Sequence, residues 1–134
     1  MKLEWSPALS VGIAEIDAQH QELFRRAARL LDGLHRGEPA EMGELVDYLH
    51  RYAVTHFGEE ESSMRDARYP GYARHKAEHD RFIGDLLVIA ADLERDGSGK
   101  SLARRVDHWL RAWLREHVSG TDAELARFLA RRNA

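Results

Sequence analysis

The stretch that decides the fold runs from His56 to His79 and reads HFGEEESSMRDARYPGYARHKAEH. His56 and Glu60 stand four residues apart, Tyr69-Pro70-Gly71 breaks the run, and His75 and His79 stand four apart beyond the break. On an α-helix, positions i and i+4 lie one turn apart on the same face. The two pairs therefore fall at the end of one helix and the start of the next, and a turn between antiparallel helices brings those ends together. Imidazole nitrogen and carboxylate oxygen converging from neighbouring helices form the donor set of a metal site in a bundle core.

Outward from this stretch, each segment keeps the 3.6-residue apolar period. Towards the N-terminus, helix one is expected over about 18–36, with Asp17 as N-cap and Leu23, Phe24, Ala27, Leu30, Leu31 and Leu34 as its stripe. His20 shares that stripe. Before it, residues 1–16 read as an arm with Trp5, Pro7, Val11, Ile13 and Ile16 as apolar contacts. Gly33 and Gly37 flank the end of helix one, and Glu38-Pro39 opens helix two, over about 39–66, because proline suits a first helical turn. Its face is Leu45, Leu49, Tyr52, Ala53, His56, Glu60 and Met64. Helix three, about 71–96, carries His75, His79, Phe82, Leu86, Ile89 and Leu93 in phase, and Asp96-Gly97-Ser98-Gly99 ends it. Helix four, about 101–118, places Leu102, Val106, Trp109, Leu110, Trp113, Leu114 and His117 together. Ser119-Gly120 terminates it. Thr121 and Glu124 have capping-box spacing, so a short fifth helix is expected over about 121–131.

The fold class is all-α: one domain over 1–134, an up-down-up-down antiparallel four-helix bundle with an N-terminal arm and a short C-terminal helix. In that topology the start of helix one, the end of helix two, the start of helix three and the end of helix four share one pole. His20, His56 with Glu60, His75 with His79, and His117 occupy those four places and fall on the apolar faces. Burying five imidazoles and a carboxylate costs several kcal/mol unless a cation or hydrogen bonds compensate, so the set points to metal. The remaining histidines do not meet the criterion: His108 faces away from His117, His50 is off the His56 stripe, and His35 sits at a helix C-terminus where a cation is favoured anyway. Of the neighbouring acids, Glu61 is expected to be solvated and Glu59 at most to support a ligand.

Composition bounds the chemistry. The 134 residues contain no Cys, which excludes disulfides, thiolate ligands and a cysteine nucleophile. The net charge is -3 with interspersed signs, so no nucleic-acid footprint is expected; Arg127, Arg131 and Arg132 complement a helix C-terminus. No apolar run approaches the roughly 18–20 residues that cross a bilayer, and MKLEWSPALS lacks a basic-then-apolar leader pattern, so no membrane association and a cytoplasmic location are expected.

The motifs as a set resemble the hemerythrin family, in particular its single-domain bacterial members. The matching elements are the His of IDAQH, the H-x3-E of HFGEE, the H-x3-H of HKAEH and the H-x4-D of HVSGTD, with Trp5, Met64, Tyr69-Pro70 and Trp113-Leu114 also in place. The resemblance implies seven ligands: His20, His56, Glu60, His75, His79, His117 and Asp122. Asp122 enters only by this route, since periodicity alone leaves it an acid in the first turn of a helix. The resemblance further implies two iron ions (Fe2+/Fe3+) with an oxo or hydroxo bridge, one held by His75, His79 and His117, the other by His20 and His56, with Glu60 and Asp122 bridging. Five imidazoles, two bridging carboxylates and that bridge leave two six-coordinate irons one position short. In the family, dioxygen binds reversibly at that open position.

The expected function is therefore oxygen carriage, storage or delivery without catalysis. Phe24, Phe57, Phe82, Trp113 and Leu114 are expected to wall the oxygen pocket, each lying within a helical turn of a ligand or beside one. Leu114 is singled out because the family places a Leu there near bound oxygen. The alternatives are a sensor of oxygen, nitric oxide or redox state acting through a separate partner, a peroxidase or nitric oxide reductase at the same irons, and a structural zinc site. The absence of paired Glu-x-x-His motifs argues against a ferritin-like oxidase.

Overall fold

The computed structural model describes residues 4–10, 12, 14–36, 39–97 and 99–132. The contacts expected of Val11 and Ile13, the side chains of Leu30 and Leu34, and the expectations on Gly37, Glu38 and Ser98 lie outside the described residues. Helix α1 spans Ala14–His35. Helix α2 covers residues 39–66 as Pro39–Tyr52, a π-helical turn Ala53–Phe57, and Gly58–Asp66. Helix α3 is Tyr72–Asp96, and α4 is Lys100–Trp113 continued by a π-helical stretch Leu114–Asp122. Helix α5 is Ala123–Arg132. Helix α1 packs against α2 and α4, and α2 against α3, giving an antiparallel four-helix bundle.

The core is built from the expected stripes. Leu23, Phe24, Ala27 and Leu31 of α1 meet Leu45, Leu49, Ala53 and Phe57 of α2, Phe82, Leu86 and Ile89 of α3, and Val106, Leu110 and Leu114 of α4, all buried. Each fully buried large side chain contributes about 1.5–3 kcal/mol over its exposed state, so this stripe, rather than intrinsic propensity, holds the helices together. Between α3 and α4 the stripe is bulky. Trp109 stacks on Phe82 at 4.8 Å, Trp113 lies 4.6 Å from it, and Trp109 Nε1 donates to Asp85. Trp5 and Leu9 of the arm pack on the core, whereas Pro7 is exposed in a short 3-10 turn, Pro7–Leu9.

Four local expectations are corrected. Helix α1 starts at Ala14, so Asp17 is no cap; with Glu15 it lies in the first turn, where carboxylates meet the positive end of the helix dipole, and Ser10 Oγ donates to it at 2.5 Å. The arm accordingly ends sooner than residue 16, and Ile16 is helical and half-buried. The chain does not break at Ser119-Gly120, because the π-helical stretch carries α4 into α5 without interruption. Thr121 and Glu124 therefore form no capping box; Thr121 Oγ1 donates to Glu78 at 2.8 Å, and Glu124 accepts from Arg74 at 2.6 Å.

The turn after α2 is closed by its own backbone. Arg68 adopts φ 54°, Tyr69 N–H donates to Met64 O at 2.9 Å and Arg68 N–H to Arg65 O at 3.1 Å. This is a Schellman ending with a non-glycine residue in the left-handed region. At the other pole Gly97, at φ 75°, ends α3 and donates to Leu93 O at 2.8 Å. The first of these turns joins the end of α2 that carries His56 and Glu60 to the start of α3 that carries His75 and His79.

Candidate metal centre

The structure brings His20, His56, Glu60, His75, His79, His117 and Asp122 together at one pole, each less than 8% exposed. Their ligand-grade atoms form two groups sharing Asp122. One comprises Glu60, His75, His79, His117 and Asp122; the other comprises His20, His56 and Asp122. Both carboxylates face both ways. Glu60 Oε1 lies 2.5 Å from His75 Nε2 and 3.2 Å from His79 Nε2, while its Oε2 lies 3.2 Å from His56 Nε2. Asp122 Oδ1 lies 3.1 Å from His75 Nε2 and 3.0 Å from His117 Nε2, while Oδ2 lies 3.1 Å from His20 Nε2.

Local helix geometry explains the position of Asp122. In an α-helix a residue five positions on is rotated by about 140° from the first. In a π-helix, whose hydrogen bonds run i→i+5, it returns to the same face, as i+4 does in an α-helix. The Leu114–Asp122 stretch is π-helical, which sets Asp122 under His117 on the same face. A second π-helical turn, Ala53–Phe57, contains His56.

The polar atoms of the cluster fit a cation. Both nitrogens of His56 and of His75, both oxygens of Glu60, Nε2 of His79 and of His117, and Oδ1 of Asp122 are buried without a hydrogen-bond partner. So many orphaned donors and acceptors in a protein interior would cost several kcal/mol, and a bound cation would engage those that face the cluster, the Nε2 atoms and the carboxylate oxygens. The electrostatics agree. Burial and the Asp122 charge push Glu60 up, yet His56, His75 and His79 outweigh them and bring it down to about 2. Burial pushes Asp122 up as well, and His117, His20 and His75 hold it well below the usual carboxylate range. Burial lowers His75, but Asp122 and Glu60 raise it to about 9. The metal-free site thus holds protons where a cation would sit.

Two further carboxylates orient His79 and His117. Nδ1 of His79 donates to Glu61 Oε2 at 2.9 Å, and Nδ1 of His117 donates to Glu78 Oε1 at 2.8 Å. An ionised carboxylate only accepts, so each pair places the proton on Nδ1 and leaves the Nε2 lone pair facing the cluster. Glu61 is therefore not solvated as expected; its side chain is 15% exposed and held by His79. Glu78 was not anticipated at all, because it lies off the apolar stripe of α3. Its only sequence signal is its place immediately before His79. Burial pushes Glu78 up, but the hydrogen bonds from His117 and Thr121 hold it below the ordinary carboxylate range.

The aromatic residues close two sides. Phe57 stacks on His79 at 3.8 Å and 2°, and Trp113 stacks on His117 at 3.9 Å and 10°. Phe82 touches both rings, at 5.6 Å and 4.6 Å. Phe24 and Leu114 are buried in the same core. On the two-histidine side Tyr52 stacks on His56 at 4.8 Å, and burial together with Asp122 and Glu60 keeps its phenol firmly protonated. The other histidines lie apart: His50 and His108 are exposed, and His35 pairs with Asp107 at 2.7 Å.

Five histidines and two carboxylates gathered at one pole define a cation-binding four-helix bundle. Residues 11–129 match the family described as the hemerythrin HHE cation binding domain. The chain is 32% identical over 125 residues to a bacteriohemerythrin of Methylococcus capsulatus, covering 90% of this chain and 91% of that one. It is 34% identical over 128 residues to a bacteriohemerythrin of Stenotrophomonas maltophilia, covering 92% and 79%, and 26% identical over 118 residues to a myohemerythrin of Riftia pachyptila, covering 88% and 86%. Among solved structures, a hemerythrin L114Y mutant superposes with a TM-score of 0.79 at 28% identity, covering 96% of this chain and 98% of that one. The chain belongs to the hemerythrin family, whose members bind dioxygen at non-haem iron.

Proposed function

We propose that the chain holds two iron ions on His20, His56, Glu60, His75, His79, His117 and Asp122 and binds dioxygen reversibly as a carrier or store rather than turning over a substrate. The observation that carries this reading is the two-sided placement of Glu60 and Asp122: each presents one oxygen to the three-histidine group and the other to the two-histidine group. One carboxylate spanning two groups is what a pair of ions needs and a single ion does not.

The bound irons would supply the electrons that a dioxygen ligand takes up and returns. The protein supplies the rest. His75, His79 and His117 would saturate one position, whereas His20 and His56 supply one imidazole fewer to the other and leave it room for a small ligand. Glu61 and Glu78 fix the tautomers of His79 and His117. Phe57 on His79 and Trp113 on His117, with Phe82, Phe24 and Leu114 in the same core, wall the centre on its core side, and that apolar wall favours release of the ligand unchanged over its protonation and loss.

Metal analysis of the purified chain, combined with visible spectra of the reduced protein before and after exposure to oxygen, tests the proposal. About two irons per chain and an absorption band that appears with oxygen and disappears on its removal are expected. One ion or none after iron supplementation, or zinc in its place, would overturn it.

A further inference from the structure

Two cavities reach the two-histidine group from solvent, and they differ in charge. The larger, about 710 Å³, lies between the start of α1 and the end of α2 under α5; Glu15, Gln19, Glu59 and Asp66 line it together with the buried His56 and Glu60. Four carboxylates stand there against one guanidinium, that of Arg132. The second, about 600 Å³, opens between α1 and α2 and also touches His56; it shares Glu15 and Glu59 with the first, but there Arg26 and Arg51 stand against these two and Glu22. A third cavity, on the far side between α3 and α4, meets His117 through Glu78 and is walled by Phe82, Trp109 and Trp113.

We infer that the acidic cavity is the entrance by which a hydrated divalent cation reaches the centre, with Glu15, Glu59 and Asp66 drawing it in and His56 and Glu60 taking it up first. This rests on the proposed metal-binding reading. Exposed acids alone would mean little, but here they lead to two side chains, each 7% exposed, whose ligand atoms have no hydrogen-bond partner. Glu15, Glu59 and Asp66 themselves make no ion pair among the described residues, whereas Glu22, Asp80, Asp92 and Glu124 do. A cleft lined by one sign of charge concentrates the opposite ion and raises its rate of arrival. In the α1–α2 cavity Arg26 and Arg51 offset two of the three carboxylates, which leaves that passage with the weaker pull on a cation.

The entrance is tested by mixing metal-free full-length chain with ferrous ion under anaerobic conditions and following uptake through tryptophan fluorescence, since Trp113 stacks on His117. The D66N variant, whose lost carboxylate lines the acidic cavity and not the α1–α2 one, is expected to take up iron about threefold more slowly at low ionic strength, a difference that shrinks at high salt, with the final iron content unchanged. Ser63 is exposed on the wall of the acidic cavity and Thr55 on that of the α1–α2 cavity, so S63W should slow uptake and T55W should not. Uptake slowed by T55W alone, or by none of the variants, overturns the entrance. A wild-type chain that takes up no iron would instead overturn the metal-binding reading beneath it.

Discussion

Glu78 accepts hydrogen bonds from both His117 Nδ1 and Thr121 Oγ1 at 2.8 Å on the same oxygen, tying α3 to the π-helical end of α4. The bond orients the His117 ring and raises its basicity at Nε2, on the side where the metal would sit. Glu78→Ala is therefore expected to weaken metal binding by about 10- to 100-fold, and Glu78→Gln, which keeps an acceptor but not the charge, to recover part of the loss. Competition against a chelator of known affinity measures both. Equal affinities for wild type and Glu78→Ala would show that the Glu78–His117 bond is incidental.

A second prediction concerns protons. In the metal-free site His75 is raised to about 9 by Asp122 and Glu60 against the effect of burial. A raised histidine stabilises the fold fully below its unfolded value, near 6.5, and that contribution is lost as pH rises through about 9. The metal-free protein should therefore lose stability between about pH 6.5 and 9, and the iron-loaded protein should not. At about pH 7 loading should release roughly one proton from His75, falling towards none above about pH 9. Calorimetric titrations of metal in buffers of different ionisation enthalpy count it; a pH-independent release would contradict the assignment.

Much of this site is legible along the chain because its candidate ligands obey the same period as the core. His56 follows Leu49 and Tyr52, His79 precedes Phe82 and Leu86, and His117 follows Leu110 and Leu114, so one helical stripe carries both apolar contacts and ligands. Asp122 escapes that rule because its placement depends on a π-helical register that a 3.6-residue count cannot anticipate; the glycine at 120 suggests a break where the chain in fact continues as helix. The same extra winding removes the expected boundary between α4 and α5. Glu61 and Glu78 are illegible for a different reason. Each is aimed at a histidine on a neighbouring helix, 18 and 39 residues away, so no local pattern encodes the pairing. A carboxylate immediately beside a ligand, at the margin of an apolar stripe, is the one hint available.

Towards the opposite pole, Asp107 of α4 clamps α1 through His35 at 2.7 Å and also accepts from Arg111. Burial pushes Asp107 up, but the hydrogen bonds from His35 and Arg111 outweigh it and hold its carboxyl below the usual 3.8. A lowered carboxyl contributes stability above its unfolded value and loses it as pH falls through the folded one. Asp107→Asn should then cost about 1 kcal/mol near neutral pH, with the difference from wild type closing below pH 3.8. Thermal melts across that range decide it, and because the pair lies away from the metal centre, iron content should not change.

Leu114 is 2% exposed, one turn before His117 in the π-helical stretch, and belongs to the cluster that includes Phe57 and Phe82. Truncating a buried leucine to alanine removes about 2–5 kcal/mol of packing and leaves space for solvent beside the centre. Stability and autoxidation should respond separately. Leu114→Ala is expected to lower the melting temperature of metal-free and loaded chains alike, and also to shorten the lifetime of the oxygenated protein several-fold, since water then reaches a wall that was dry. Leu114→Met nearly conserves volume and should restore both. If Leu114→Ala lowers stability while the autoxidation rate stays at the wild-type value, Leu114 is ordinary core and the oxygen pocket must be drawn without it.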